Sequence, residues 1–547
     1  MTKRWLFLIS LISFLFIITA CAYGDEGGQA DNTNDNGTEE VDETGDGPSQ
    51  GGRVSIPIVA DPTFNPWHPN AYAESNVINR VLFNGLTKFG KDGLPAPALA
   101  ASWETTEDGL VWTFNLRDDV NWHDGEQFTA EDVAYTFNEI TLNSELGANS
   151  SSYFNNVENV EIVDEFTVNF NLSSPVAALP AYLSFNTEII PEHIFAGEDP
   201  WDLTSFNKEN PIGTGPFKLK SYTSGQSVVL ERNEDYFDGV AYLDEIEYKV
   251  LADANTHVAQ LLSGELDIFA LDDTSAIERI ESADDITIVG RETPRFFWLI
   301  LNQNIEQFQD VRLRQAIMHA IDRQNIIDTI LQGYGSIADA GIAPILSEYY
   351  TDDVTRYDFD QDRARELLAE IGYEENANGF VEMDGEPLTI SFDVGIQGDL
   401  ETIAQMVQQY LIQVGIDVQL NTMDWNSMID QVVIERDYEM SLNWWRYPAD
   451  PDLTAYMHSD NADTGNNIPN YRNEDLDALL EAGGQASTVE ERQEIYLEAQ
   501  ALMAEELPYL FLWYPQEVQV RQQSLQGIPE LAFGDALYYT NEWYIEQ

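Results

Sequence analysis

The sequence predicts an α/β protein whose folded part begins at Arg53. Short runs with an apolar residue at every second position recur along the chain, each the mark of a half-buried strand. They alternate with segments whose apolar residues recur at helical spacing. Hydrophobic residues make up 43% of the 547 and aromatics 12%, which is ample for sizeable cores. A chain of this length holds about three to four domain-sized units.

Taken in order, LVWTFNLR (110–117) sets Leu110, Trp112, Phe114 and Leu116 on one strand face. TAEDVAYTFNEI follows, with Thr129 as N-cap, acids in the first turn, and Val133, Phe137 and Ile140 at helical spacing. EFTVNFNL (165–172) is a second strand through Phe166, Val168, Phe170 and Leu172. DVRLRQAIMHAIDRQNIIDTIL (310–331) reads as one helix behind Asp310. PLTISFDV is a strand, and TIAQMVQQYLIQVGIDVQL is a helix stopped near Gly415, then a strand through Ile416, Val418 and Leu420. Thr488 and Glu491 form a T-x-x-E capping box for a long helix ending before Pro508. LPYLFLWYP reads as a buried strand, and the chain carries no fixed-period repeat and no heptads.

The first residues form a separate unit. Lys3 and Arg4 precede an apolar run from Trp5 to Ile18, broken only by Ser10 and Ser13. That run is short for a span of about 20 residues and has the layout of a secretory signal. It ends in Ile18-Thr19-Ala20-Cys21, which resembles the bacterial lipobox, in which the cysteine becomes the lipidated N-terminus. Cys21 is the chain's one cysteine, so no intramolecular disulfide forms. Residues 22–52 hold nine acids and no base, the composition of a self-repelling tether. The reading is therefore a signal peptide over 1–20, a disordered acidic tether over 21–52, and a membrane anchor at Cys21. No later segment is long and apolar enough to cross a membrane.

Charge excludes one class of partner. Asp and Glu number 96 against 26 Lys and Arg, a formal net charge of −70. Nucleic acid needs a positive face, so none is bound. None of the seven lysines lies beyond Lys249. A lysine-poor acidic surface suits concentrated salt, where the Debye length shrinks to about 3 Å at 1 M.

Catalytic and metal signatures are missing. The histidines at 68, 123, 193, 257, 319 and 458 are scattered, with no pair at i, i+4. GTGPF (213–217) has no following G-K-[ST], and Pro216 removes a donor that a phosphate cradle would use. No G-x-S-x-G elbow occurs, and so many acids single out no glycosidase dyad. The reading is no enzyme, no cofactor and no metal; a secreted hydrolase is the rival from another class.

One stretch stands apart: NWWRYPADPD (443–452) puts a scarce arginine in a knot of aromatics. Either Trp444 and Trp445 are core and Arg446 pairs with Asp450 or Asp452, or this is a binding loop.

Several stretches together resemble one family. ALAASWETTEDGLVWTFNLRDDVNWHDGEQFTAEDVAYTF (98–137) resembles the signature region of the family 5 extracellular solute-binding proteins, the peptide and nickel receptors of ABC importers. PIGTGPFKLKSY (211–222) matches their G-T-G-P-[FY] turn. LLSGELDI (261–268), DVRLRQAIMHAIDRQNII (310–327) and the stretch from DPDLTAYMHSD to LPYLFLWYP follow in the family's order.

The resemblance implies a bilobal, periplasmic-binding-protein-like cleft fold with an extra small inserted lobe. Lobe I would comprise 53–90, 206–294 and 511–547, lobe II 91–205, and lobe III 295–510. A monomer would hold its ligand between lobes I and III and hand it to ABC permease subunits. Implied ligand contacts are Trp444, Trp445, Arg446, Tyr447, Asp450 and, on the last strand, Trp513. In the dipeptide and oligopeptide receptors an aspartate on this loop grips the peptide's α-ammonium group; here that position is Tyr447. Arg446 offers a planar cation suited to a carboxylate or to ring stacking. The implied ligand is an oligopeptide first and an oligosaccharide second. The family's nickel chelates find no histidine cluster here.

Overall fold

The computed structural model describes residues 48–546 apart from 72, 186, 272–273, 447–449, 464, 487–488 and 532–534. The expected signal peptide, Cys21, most of the tether, Tyr447 and the capping residue Thr488 lie outside the described residues. The end of the expected tether belongs to the body. Ser49 Oγ donates to the Ile545 carbonyl (3.0 Å), Gly51 N–H to the Tyr242 carbonyl (2.8 Å) and Gly52 N–H to Asp244 (3.1 Å). These bonds fix residues that composition alone assigned to a leash.

A first four-stranded sheet has the order Arg53–Ile58, Glu245–Val250, Ser227–Arg232, Phe217–Thr223. Its first pair is parallel and the others antiparallel. Beside it lies an antiparallel sheet in the order Ala100–Thr105, Val111–Leu116, Thr167–Leu172, Val157–Asp164. The period-two patterns hold: Phe114, Val168 and Phe170 are fully buried. Trp112, expected on the same face, is only partly buried at the edge of that core. A single apolar core joins both sheets, from Val54 and Ile246 to Phe114 and Phe170.

Thr129 caps its helix as expected, with Asp132 completing the box by accepting from the Thr129 N–H (3.0 Å). The regular helix spans only Ala130–Tyr135 and then widens into a π-turn over Thr136–Thr141. Two hydroxyls bond back into the ladder there: Thr136 Oγ1 to the Asp132 carbonyl (2.8 Å) and Thr141 Oγ1 to the Thr136 carbonyl (2.9 Å). Side chains inserted in this way loosen the i→i−4 pattern.

The G-T-G-P-F turn is a junction rather than a ligand loop. A Cβ on Gly213 would lie 1.9 Å from the Leu82 carbonyl oxygen, and one on Gly215 would lie 2.2 Å from that of Val81. Only glycine lets the two backbones approach so closely. His123 closes the contact: Nδ1 accepts from the Gly213 N–H (3.2 Å) and Nε2 donates to the Gly215 carbonyl (3.0 Å). Burial pushes the His123 imidazole down to about 4, so it stays neutral and able to accept.

The largest sheet has eight strands. Its main order is Ile268–Ala270, Leu510–Gln522, Arg295–Leu301, Met440–Arg446, Thr389–Ile396, Asp417–Asp424. Ile286–Glu292 and Gly335–Ile337 also pair with Leu510–Gln522. The strand expected to stop at WYP thus runs on for 13 residues. Up to Pro515 it pairs with Arg295–Leu301 and Gly335–Ile337, and from Gln516 with Ile286–Glu292. The change of partner falls at Pro515. The chain's other passage, Thr293–Pro294, runs alongside, with Thr293 Oγ1 donating to the Pro515 carbonyl (2.8 Å).

The segment 310–331 is two helices, Val311–Ala320 and Arg323–Thr329. Asp310 caps the first, and Asp322 caps the second by accepting from the Asn325 N–H (2.9 Å). A second good cap inside an apolar-periodic run restarts the helix. The helix Leu400–Gln413 ends ahead of Gly415, whose φ of +90° suits glycine, and Asp417–Asp424 follows as the expected strand. The long helix Val489–Glu506 ends before Pro508.

Candidate functional site

Strand alternation decides which face each residue of Met440–Arg446 serves. This strand pairs antiparallel with Arg295–Leu301, in the register Arg295↔Arg446, Phe296↔Trp445, Phe297↔Trp444. Trp444 and Trp445 therefore point to opposite faces.

Trp444 joins an aromatic wall. It stacks on Trp425 (centroids 6.2 Å apart, 20° between planes) and lies 6.5 Å from Phe297. Phe297 in turn stacks on Trp513 (5.0 Å, 17°). The Trp444 indole N–H donates to Gln397 Oε1 (3.2 Å), and the Arg295 guanidinium carbon lies 5.0 Å from a Trp444 ring centroid. This wall bounds a compartment of about 680 Å³, and Trp513, fully buried, forms part of its lining.

Trp445, expected at the ligand, sits on the other face. It meets Tyr456 edge-on (5.0 Å) and packs against the core around Trp298 and Phe511. Asp450 is also committed elsewhere. It is 3% exposed, and its two oxygens take the fork of Arg492 at 2.8 and 2.7 Å. Its carboxylate charge is thus met within the fold by Arg492.

Arg446 faces a central compartment of about 310 Å³ that also borders Arg80, Arg291 and Arg295. Glu292, Glu517 and Asp535 line it too. Arg80 is paired with Asp535, and the Arg80 guanidinium carbon lies 5.7 Å from the Tyr538 ring. Glu292 accepts from Gln516 (2.8 Å). Among the described residues, no carboxylate lies within 4.0 Å of Arg291, Arg295 or Arg446. Arg446 is exposed by area yet enclosed by the cavity walls, with its guanidinium carbon 5.8 Å from the Phe185 ring. This enclosure, with Arg295 and Arg80 nearby, pulls its pKa below the ordinary value.

The compartments share lining residues. Thr293, Arg295 and Glu517 border both the arginine compartment and the aromatic one. Arg291, Glu517 and Asp535 border both the arginine compartment and a third of about 260 Å³, walled by Ile56–Val59 and Ile268–Ala270. This group of compartments forms a cleft whose lining includes Thr293 and Pro515, where the long strand changes partners. It offers fixed cations next to a flat aromatic surface, suited to an anionic group borne on an apolar or ring-bearing body.

Of the residues expected at the ligand, Arg446, Trp444 and Trp513 line these compartments, and so do Arg80, Arg291 and Arg295, which the sequence did not single out. Each comes from a different element, and no local motif marks them. The available signal was scarcity, since only 26 basic residues face 96 acids. Among the described residues, no three His, Cys, Asp or Glu side chains are grouped to hold a metal ion. No described helix is long and apolar enough to cross a membrane.

The family model described as bacterial extracellular solute-binding proteins, family 5 middle, matches residues 95–467. The oligopeptide-binding protein AppA of Bacillus subtilis (strain 168) is 30% identical over 506 residues, covering 91% of this chain and 92% of that one. The solved structure of AppA from Bacillus subtilis with a nonapeptide is similar at a TM-score of 0.72 and 28% identity. That likeness covers 92% of this chain and 100% of the other. The ABC transporter substrate-binding protein CtaP from Listeria monocytogenes is similar at a TM-score of 0.78 and 29% identity, covering 91% of this chain and all of that one.

Proposed function

From the premise that the chain belongs to family 5 of the bacterial extracellular solute-binding proteins, we propose that it captures a peptide-like solute for an ABC importer. Its fold is the α/β, multi-lobed architecture of such receptors. The ligand lies between lobe I (53–90, 206–294 and a last segment expected from 511) and lobe III (295–510), with lobe II (91–205) alongside. The protein acts as a monomer, performs no chemistry on its ligand, and delivers it to permease subunits by closing over it.

The observation that carries this reading is the cleft itself. In a chain of net charge −70, Arg291, Arg295 and Arg446 border one cavity without a carboxylate partner among the described residues. A ligand carboxylate would supply it through charge-assisted bonds. Trp444, on the aromatic wall, holds the adjoining part of the ligand. These roles for Arg446, Trp444 and Trp513 are supported by their place on the cleft lining. An oligosaccharide is the second reading, favoured by the stacked Trp425–Trp444 and Phe297–Trp513 faces.

Incubation of the purified body with mixed oligopeptides and oligosaccharides separates capture from catalysis. Saturable binding without product supports the receptor; turnover of either mixture selects the hydrolase.

The leader and Cys21 complete the proposal: the body is lipid-anchored on the outer face of the cell membrane. Cys21→Ser should leave unprocessed precursor or release protein into the medium. Normal maturation and membrane retention of that variant would remove the anchor.

A further inference from the structure

A further cavity, of about 360 Å³, lies between the antiparallel sheet that holds Trp103 and Trp112 and the segment that carries Ile345–Tyr349, with Ile345 also bordering the arginine compartment. Trp103 and Trp112 border it on one side, and Leu346, Glu348 and Tyr349 on the other. Its size and mostly apolar lining fit a small-molecule site of about 300–1,000 Å³.

Two polar atoms among its lining residues are buried and have no hydrogen-bond partner among the described residues: Trp112 Nε1, a donor, and Glu348 Oε2, an acceptor. Buried polar groups are almost always satisfied, so these two, on residues that line the cavity, stand out. The charge at the cavity has one sign. Its basic residue, Arg492, is fully engaged by both oxygens of Asp450 and by the Gly483 carbonyl (3.1 Å). Glu348 and Asp92 also border the cavity, and neither makes an ion pair within 4.0 Å among the described residues.

We propose that this cavity is a second binding site, specific for a cation borne on an apolar body: an ammonium group received by Glu348, its hydrocarbon part lying against Trp103, Trp112 and Leu346. A carboxylate facing indole rings in a partly dry pocket favours such a group twice, through a charge-assisted hydrogen bond and through cation–π attraction. The site differs in sign from the arginine-lined cleft, so it admits a chemical class that the cleft disfavours. Because its two sides come from different parts of the fold, an occupant also ties them together.

Phenethylamine is the probe, with 2-phenylethanol as its near-isosteric neutral counterpart. Both are titrated into the full-length protein and followed by ligand-observed NMR. The amine should bind saturably, at least about tenfold tighter than the alcohol. Glu348→Gln should remove most of that preference, and Trp112→Phe should weaken the amine by a few fold while keeping the ring surface. The proposal is overturned by no saturable amine binding, by equal affinity for amine and alcohol, or by amine binding that Glu348→Gln leaves unchanged. Thermal melts of both variants, matched to the parent, exclude misfolding as the cause of a loss.

Discussion

Arg492, on the helix Val489–Glu506, and Arg446, at the end of the strand Met440–Arg446, have opposite surroundings. Arg492 is 6% exposed, forks onto Asp450, and has its guanidinium carbon 5.6 Å from the Tyr349 ring and 5.4 Å from that of Tyr496. Arg446 is exposed, touches Phe185, and makes no ion pair among the described residues. Both are arginines in a strongly acidic chain, so availability of carboxylates does not separate them. What separates them is whether the fold itself supplies the counter-charge. Where it does, the pair ties Asp450 to the helix Val489–Glu506. Where it does not, the cation remains available to a ligand.

The largest effect should come from breaking the internal pair. Asp450→Ala leaves Arg492 buried without its partner, at a cost of about 3–5 kcal/mol. Chemical denaturation would show it as a lower midpoint at unchanged slope. A loss below about 1 kcal/mol would mean that Asp450 is not the structural member of the comparison.

Trp444→Ala should have an intermediate effect on stability, about 2 kcal/mol, because the ring is half-buried between Trp425 and Phe297. It should also weaken ligand binding, since the same ring borders the cleft. A change confined to stability would place Trp444 with Trp445 as plain core.

These residues also show how far the sequence could be read. Period-two and helical spacing located the strands and helices, because burial on one face leaves a periodic trace. The exceptions have local causes: Asp322 restarts a helix inside a continuous pattern, and threonine hydroxyls widen another. The long strand through Pro515 ran past its expected end because proline is allowed where ladder partners change. At the site, the stretch NWWRYPADPD was legible as a cluster, but its division of labour was not. Trp444 and Trp445 are adjacent in sequence and opposed in space, which follows once Met440–Arg446 is known to be a strand. Asp450 pairs with an arginine 42 residues later, a contact that no local pattern encodes. Arg80, Arg291 and Arg295 converge only through the tertiary fold.

The smallest effect on stability should come from Arg446→Ala. With no ion pair to lose, the variant should unfold within about 1 kcal/mol of the parent. A larger loss would show that Arg446, like Arg492, is held by the fold.

The central claim concerns what occupies the cleft, and native mass spectrometry of the protein as isolated tests it most directly. The account predicts a retained peptide-like solute carrying a carboxylate. Calorimetric titration with that solute should then show affinity falling about tenfold to a hundredfold in Arg446→Ala, as expected for one charge-assisted contact worth about 1.5–3 kcal/mol. A retained solute without an anionic group, bound equally well by the parent and Arg446→Ala, would contradict it.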